Sequence, residues 1–198
     1  MWVFALQWMH ALSKGNSMKR ILLASLFAAA SLPAACQMAN MPMTPPPPST
    51  GPASEVLRSY STLKPNVIKA AEKMPEADFQ YKPTPEIRTY ARIVNHITEA
   101  QFHTCTSLNG TAFDAKSVPS DTADKATIVA ALKASFDECD KAYAALTESN
   151  ATEMIPAGKS KRSRIGFAWG NVSHDNEQYA ELSTYLRLKG LVPPTAEK

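Results

Sequence analysis

Apolar residues recur between positions 53 and 188 at intervals of three, four and seven, the spacing of one face of an α-helix. Four such segments stand out. In 53–74 the stripe is Val56, Tyr60, Leu63, Val67 and Met74, with Pro65 inside it, where a kink or interruption is expected. In 85–108 it is Tyr90, Val94, Ile97, Gln101 and Leu108; Thr84-Pro85-Glu86 reads as the helix start and Asn109-Gly110 as its stop. In 122–147 it is Ile128, Leu132, Ser135, Cys139, Tyr143 and Leu146, with Asp121 and Asp124 suited to the positive N-terminal end. In 164–188 it is Ile165, Ala168, Val172, Tyr179, Leu182 and Leu186; Gly190 and Pro193-Pro194 prevent continuation. No useful stretch alternates with period two, so no sheet of note is expected. Four amphipathic helices bury their stripes best against one another, which predicts an all-α four-helix bundle over 53–194.

Loop length constrains the order. The second and third segments are joined by roughly 12–14 residues, enough to run about 40 Å, whereas a helix of about 24 residues is roughly 36 Å long. The connection can therefore cross the bundle and leave these helices parallel. Cys105 and Cys139 then lie at nearly matching heights. They are either one disulfide or two buried free thiols; an oxidising compartment favours the disulfide.

That compartment is itself an expectation from the N-terminus. Lys19-Arg20 precede an apolar run over 21–32, closed by Pro33-Ala34-Ala35-Cys36. A charged start, a short apolar core and small residues make a secretory signal peptide, and the run is too short for a stable membrane span. Met18 reads as the start, with residues 1–17 upstream of it. Residues 1–36 are thus assigned to upstream sequence and leader, and the protein is expected to be exported, periplasmic or extracellular. Cleavage after Cys36 leaves Gln37 first; lipidation of Cys36 would instead make a membrane-anchored lipoprotein. Residues 37–52, with Pro45-Pro46-Pro47-Pro48, form a Pro-rich linker with polyproline II character.

Export changes the meaning of the charge. The chain has 21 basic and 18 acidic residues, a net +3. Lys14, Lys19 and Arg20 belong to the leader, which has no acid, so the mature part is close to neutral. Its basicity is targeting, and no nucleic-acid partner is expected. The one basic run, Lys159-Ser-Lys-Arg-Ser-Arg164, reads as a solvated loop, the alternative being an anionic-lipid or phosphate contact.

The histidines beyond the leader are His96, His103 and His174. Counting 100° per residue puts His96 at the edge of the second helix's stripe and His174 beside that of the fourth. Asn171, His174, Gln178 and Tyr185 form a row there that borders buried surface, so its members need partners. Imidazoles on inner rows of facing helices are how bundles build metal sites. His103 lies about 10 Å along the helix from His96, too far to share one ion. Nucleophile templates fail: Cys105 is two residues past His103 and Ser173 adjoins His174, spacings that a helix turns apart. Asp175, near the apolar stripe, reads as a residue supporting the ligands or as an inter-helix partner, since a buried carboxylate must be paired.

Tyr90-Ala-Arg-Ile-Val-Asn-His96-Ile, Asn171-Val-Ser-His174-Asp-Asn-Glu-Gln178-Tyr, and Leu186-Arg-Leu-Lys-Gly190-Leu-Val-Pro-Pro, with Lys73-Met74-Pro75 before Tyr81-Lys-Pro83, resemble the DinB-like family over roughly 54–194. The resemblance implies a four-helix bundle with long crossover connections, up-down-down-up. It also implies a metal site from one His on the second helix and His-x3-His on the fourth. His96 and His174 match; the third position holds Gln178, whose neutral carbonyl oxygen is a poor ligand for zinc or nickel. The expected ligand set is His96, His174 and Gln178, holding a divalent ion such as zinc or nickel. Two functions follow as expectations: a metal-dependent hydrolase or transferase acting on a small molecule, or a non-catalytic envelope binding bundle with a degenerate site. A homodimer is compatible with either.

Overall fold

A computed structural model describes residues 50–198. The leader and nearly all of the Pro-rich linker lie outside the described residues. Four helices carry the described part: α1 (Pro52–Lys73), α2 (Tyr90–Asn109), α3 (Lys125–Ala144) and α4 (Arg164–Leu188). The fold is a helical bundle, as the apolar spacing predicts. Short 3-10 turns lie at Glu76–Asp78, Ala115–Ser117 and Pro194–Ala196. Among the described residues, no helix is long and apolar enough to cross a membrane.

The helices start where side chains satisfy orphan N–H groups. Thr89 accepts from Arg92 N at 3.2 Å, Asp124 from Thr127 N at 2.8 Å and Ser163 from Gly166 N at 3.1 Å. For α1 the cap comes from 95 residues away: Glu148 accepts from Ala53 N at 3.1 Å and Ser54 N at 3.0 Å. Its carboxyl is held below the ordinary range, chiefly by the Ser54 N–H. At the other end of α2, Gly110 closes the helix at φ 70°, a conformation glycine adopts at no steric cost.

Three expectations need correction. First, α2 begins at Tyr90, not at 85. Thr84-Pro85 forms a turn, with Ile87 N bonded to Thr84 O, while Tyr90 N and Ala91 N reach back to Tyr81 O and Phe79 O. Second, Pro65 does not interrupt α1. Pro65 and Ser61 are both exposed, so the carbonyl that Pro65 leaves unbonded meets water. Third, a hairpin precedes α4: β1 (Met154–Ala157) pairs antiparallel with β2 (Ser160–Ser163), Ile155 opposite Arg162. Gly158 turns it at φ 61°. Ile155 is its buried residue, so the short strands show no alternation long enough to read.

The core fills the space between the helices. Tyr60 of α1 stacks on Tyr143 of α3 at 3.9 Å between centroids. Tyr143 donates to Ala168 O at 2.9 Å, and Tyr90 to Ala70 O at 2.7 Å, so each buried hydroxyl is satisfied. Near the two N-terminal ends of α2 and α3, Asn95 donates to Asp121 at 2.8 Å. Near the C-terminal ends, Asn109 donates to Glu138 at 2.6 Å and Cys105 is joined to Cys139. The free-thiol alternative is thereby set aside.

Candidate functional site

The feature that organises the polar chemistry is a pair of imidazoles across α2 and α4. His96 Nε2 and His174 Nε2 stand 3.1 Å apart, the rings tilted at 71°. Each lies at the edge of its helix's buried stripe, which leaves the pair partly open: the His174 side chain is 26% exposed. Burial pulls the His96 pKa below its ordinary value; the His174, Arg88 and Arg92 charges act in the same direction and Glu99 opposes them.

Behind His174 the chain is polar and buried. Asp175 is fully buried and sets its Oδ1 3.3 Å from His174 Nδ1. Its Oδ2 accepts from Asn171 Nδ2 at 3.2 Å, one turn earlier on α4. Asn171 Nδ2 also donates across the bundle to Gln101 Oε1 at 3.2 Å. Gln101 Oε1 lies 2.6 Å from Cys139 Sγ. A disulfide sulfur carries no proton, so this is not a hydrogen bond, and 2.6 Å is closer than an oxygen and a sulfur pack, so the contact supplies no attraction. Burial drives the Asp175 carboxyl up to about 6, against the opposing pull of His174 and Asn171.

His96 and His174 are brought together. Gln178 stands one turn beyond His174, 2% exposed, and its Oε1 has no hydrogen-bond partner among the described residues. Tyr185 finds its partner in Arg88 O at 2.6 Å. His103 packs on Phe113, 4.1 Å between centroids, away from the pair. Asp175 bonds within its own helix, to Asn171 and His174, where an inter-helix partner was one expectation. Of the basic run, Arg164 is bound to Glu153 at 2.7 Å and Arg162 covers the Phe167 ring at 5.6 Å. Among the described residues, no group of three or more His, Cys, Asp or Glu side chains is arranged to hold a metal ion.

Sequence reasoning missed Gln101, which sits in the stripe of α2 like an apolar residue. Its signal was there: an amide at a buried position must find a partner. Along the α2–α4 side, about two turns from the imidazoles, Glu86, Arg88, Glu181 and Tyr185 line a cleft of about 470 Å³, with Arg88 paired to Glu181 at 3.1 Å.

Four helices with an imidazole pair between the second and the fourth define a helical-bundle protein with an inter-helix polar site. The chain belongs to the DinB superfamily, whose family model matches residues 60–182. Solved structures agree in fold. A DinB-like protein from Bacillus cereus is similar at 17% identity and TM-score 0.59, covering 70% of this chain and 93% of its own. A DinB-like protein from Bacillus subtilis gives 18% and 0.56, over 69% and 92%. A conserved protein from Enterococcus faecalis gives 13% and 0.58, over 71% and 98%. No curated protein matches the chain.

Proposed function

We propose that this bundle binds one divalent metal ion between α2 and α4, through His96, His174 and Gln178, and that it is an exported metal-dependent hydrolase or transferase acting on a small molecule. The observation that carries the reading is the 3.1 Å between the two Nε2 atoms. Nitrogen ligands sit about 2.0–2.1 Å from zinc, so two on one ion stand roughly 3 Å apart. Two further observations support it. Asp175 beside His174 Nδ1 is the carboxylate–imidazole arrangement that holds a ligand's tautomer. Gln178 Oε1 is a buried oxygen with no other bond to make. A bound ion would supply Lewis acidity and an acidified water. The cleft lined by Arg88, Glu181 and Tyr185 is the place proposed for the substrate. The paired ends of α2 and α3 support the up-down-down-up order. No nucleic-acid partner is proposed, and membrane attachment only through a lipidated Cys36.

A second reading has its own support. The third position offers a neutral amide, and no three His, Cys, Asp or Glu side chains converge among the described residues. A non-catalytic envelope binding bundle with a degenerate site accounts for that. Cobalt(II) titration of chelator-treated, tag-free protein separates the two. Visible absorption saturating near one equivalent, and lost in His96→Ala and His174→Ala, supports the metal site. No cobalt signal in the wild type favours the second reading.

A further inference from the structure

The contacts behind His174 form a line of buried polar side chains that leads to the imidazole pair. It runs Gln101 Oε1 to Asn171 Nδ2 (3.2 Å), Asn171 Nδ2 to Asp175 Oδ2 (3.2 Å), and Asp175 Oδ1 to His174 Nδ1 (3.3 Å). It ends at His96 Nε2, 3.1 Å from His174 Nε2. Gln101 and Asp175 are fully buried, and Asn171 is nearly so. Burial on this scale is costly for three polar side chains, and the bonds among them offset part of it; Gln101 Nε2 and Asn171 Oδ1 find no partner among the described residues.

The line also has a direction. Both hydrogens of the Asn171 amide are used, one on Gln101 Oε1 and one on Asp175 Oδ2. An ionised Asp175 only accepts, so a neutral His174 must carry its proton on Nδ1. Its Nε2 is then a bare lone pair facing His96.

We propose that Gln101, Asn171 and Asp175 are positioning residues that fix His174 in the Nδ1-protonated tautomer with Nε2 presented to the inter-helix site. Free imidazole favours the other tautomer, so the arrangement selects a form that the side chain would not adopt alone. A ligand so held binds a metal more tightly; loss of such outer partners costs about 10–100-fold in metal affinity. That last consequence rests on the metal-site reading above. The tautomer does not.

The test is made on the metal-free, full chain labelled with nitrogen-15 at histidine. Long-range nitrogen–proton correlation near neutral pH distinguishes the protonated ring nitrogen from the bare one. The expected result is His174 with a protonated Nδ1 and a bare Nε2, and a shift toward the other tautomer in Asn171→Leu and Gln101→Leu. Asp175→Asn keeps one acceptor oxygen and is expected to retain the Nδ1 proton. Cobalt affinity is expected to fall about 10-fold in Asn171→Leu. A wild-type His174 protonated on Nε2 overturns the proposal without recourse to any variant, as does an unchanged tautomer in a folded Asn171→Leu. Because the ring is read without metal, failure of the metal reading leaves this result standing, and a metal-free His174 protonated on Nε2 in a chain that still binds cobalt overturns the positioning role alone.

Discussion

Cys105 on α2 and Cys139 on α3 are covalently joined, their Cα atoms 4.9 Å apart, each about four turns from the start of its helix. The bond closes a sequence separation of 34 residues, including the long crossover between the helices. Restricting a loop of that length in the unfolded chain stabilises by about 2–4 kcal/mol. Removing both sulfurs by Cys105→Ala with Cys139→Ala is expected to lower the melting temperature by roughly 10 °C. Non-reducing peptide mapping checks the bond directly: a linked Cys105–Cys139 fragment is expected, and alkylation of both cysteines without reductant would refute it.

Tyr60 ties α1 to α3 in two ways, by stacking on Tyr143 and by its hydroxyl, which donates to Asp140 at 2.7 Å and shares Phe136 O at 3.1 Å. Tyr60→Phe keeps the ring and loses the hydroxyl bonds, one of them to a charged group. An unfolding free energy lower by about 1–2 kcal/mol is expected in urea titrations, with much of the difference gone in an Asp140→Ala background. An unchanged midpoint would show that the hydroxyl contributes nothing net.

Asp175 gives the bundle a pH dependence with a defined sign. Its folded value, about 6, is raised from 3.8 chiefly by burial, so the folded state binds the proton more tightly than the unfolded one. The stabilisation this brings is full below about pH 4 and is lost as pH rises to about 6. Asp175→Asn removes the titration, so its stability relative to wild type should rise across that window, by at most about 3 kcal/mol. Chemical denaturation of both proteins from acid to neutral pH reads this. A difference that stays flat, or falls, contradicts the burial argument.

Much of this was legible along the chain. The apolar stripes gave the four helices, because 3.6-residue spacing survives in any buried face, and Asn109-Gly110 marked a stop that Gly110 fulfils at positive φ. Loop length made a Cys105–Cys139 bond possible, and the family resemblance, with the helix rows, put His96 and His174 in one site. Other features were not legible for physical reasons. Thr84-Pro85-Glu86 has the composition of a helix start, yet tertiary bonds from Tyr90 and Ala91 to Tyr81 and Phe79 fix the true one later. The hairpin buries one apolar side chain, Ile155, too few for a pattern. Asp175 reaches its neighbour His174 although adjacent helical positions point apart; a ring turned back toward the carboxylate is a rotamer choice that spacing does not encode. Gln101 looked like part of a stripe because burial is what the stripe reports.

The central claim is that His96, His174 and Gln178 hold a metal ion. Metal content of tag-free protein, purified without chelator and measured by elemental mass spectrometry, tests it most directly. Close to one divalent ion per chain is expected in the wild type, with loss of that ion in His174→Ala and tighter retention in Gln178→His, where an imidazole replaces a weak amide ligand. A metal-free wild type, with an ion appearing only in Gln178→His, would contradict it.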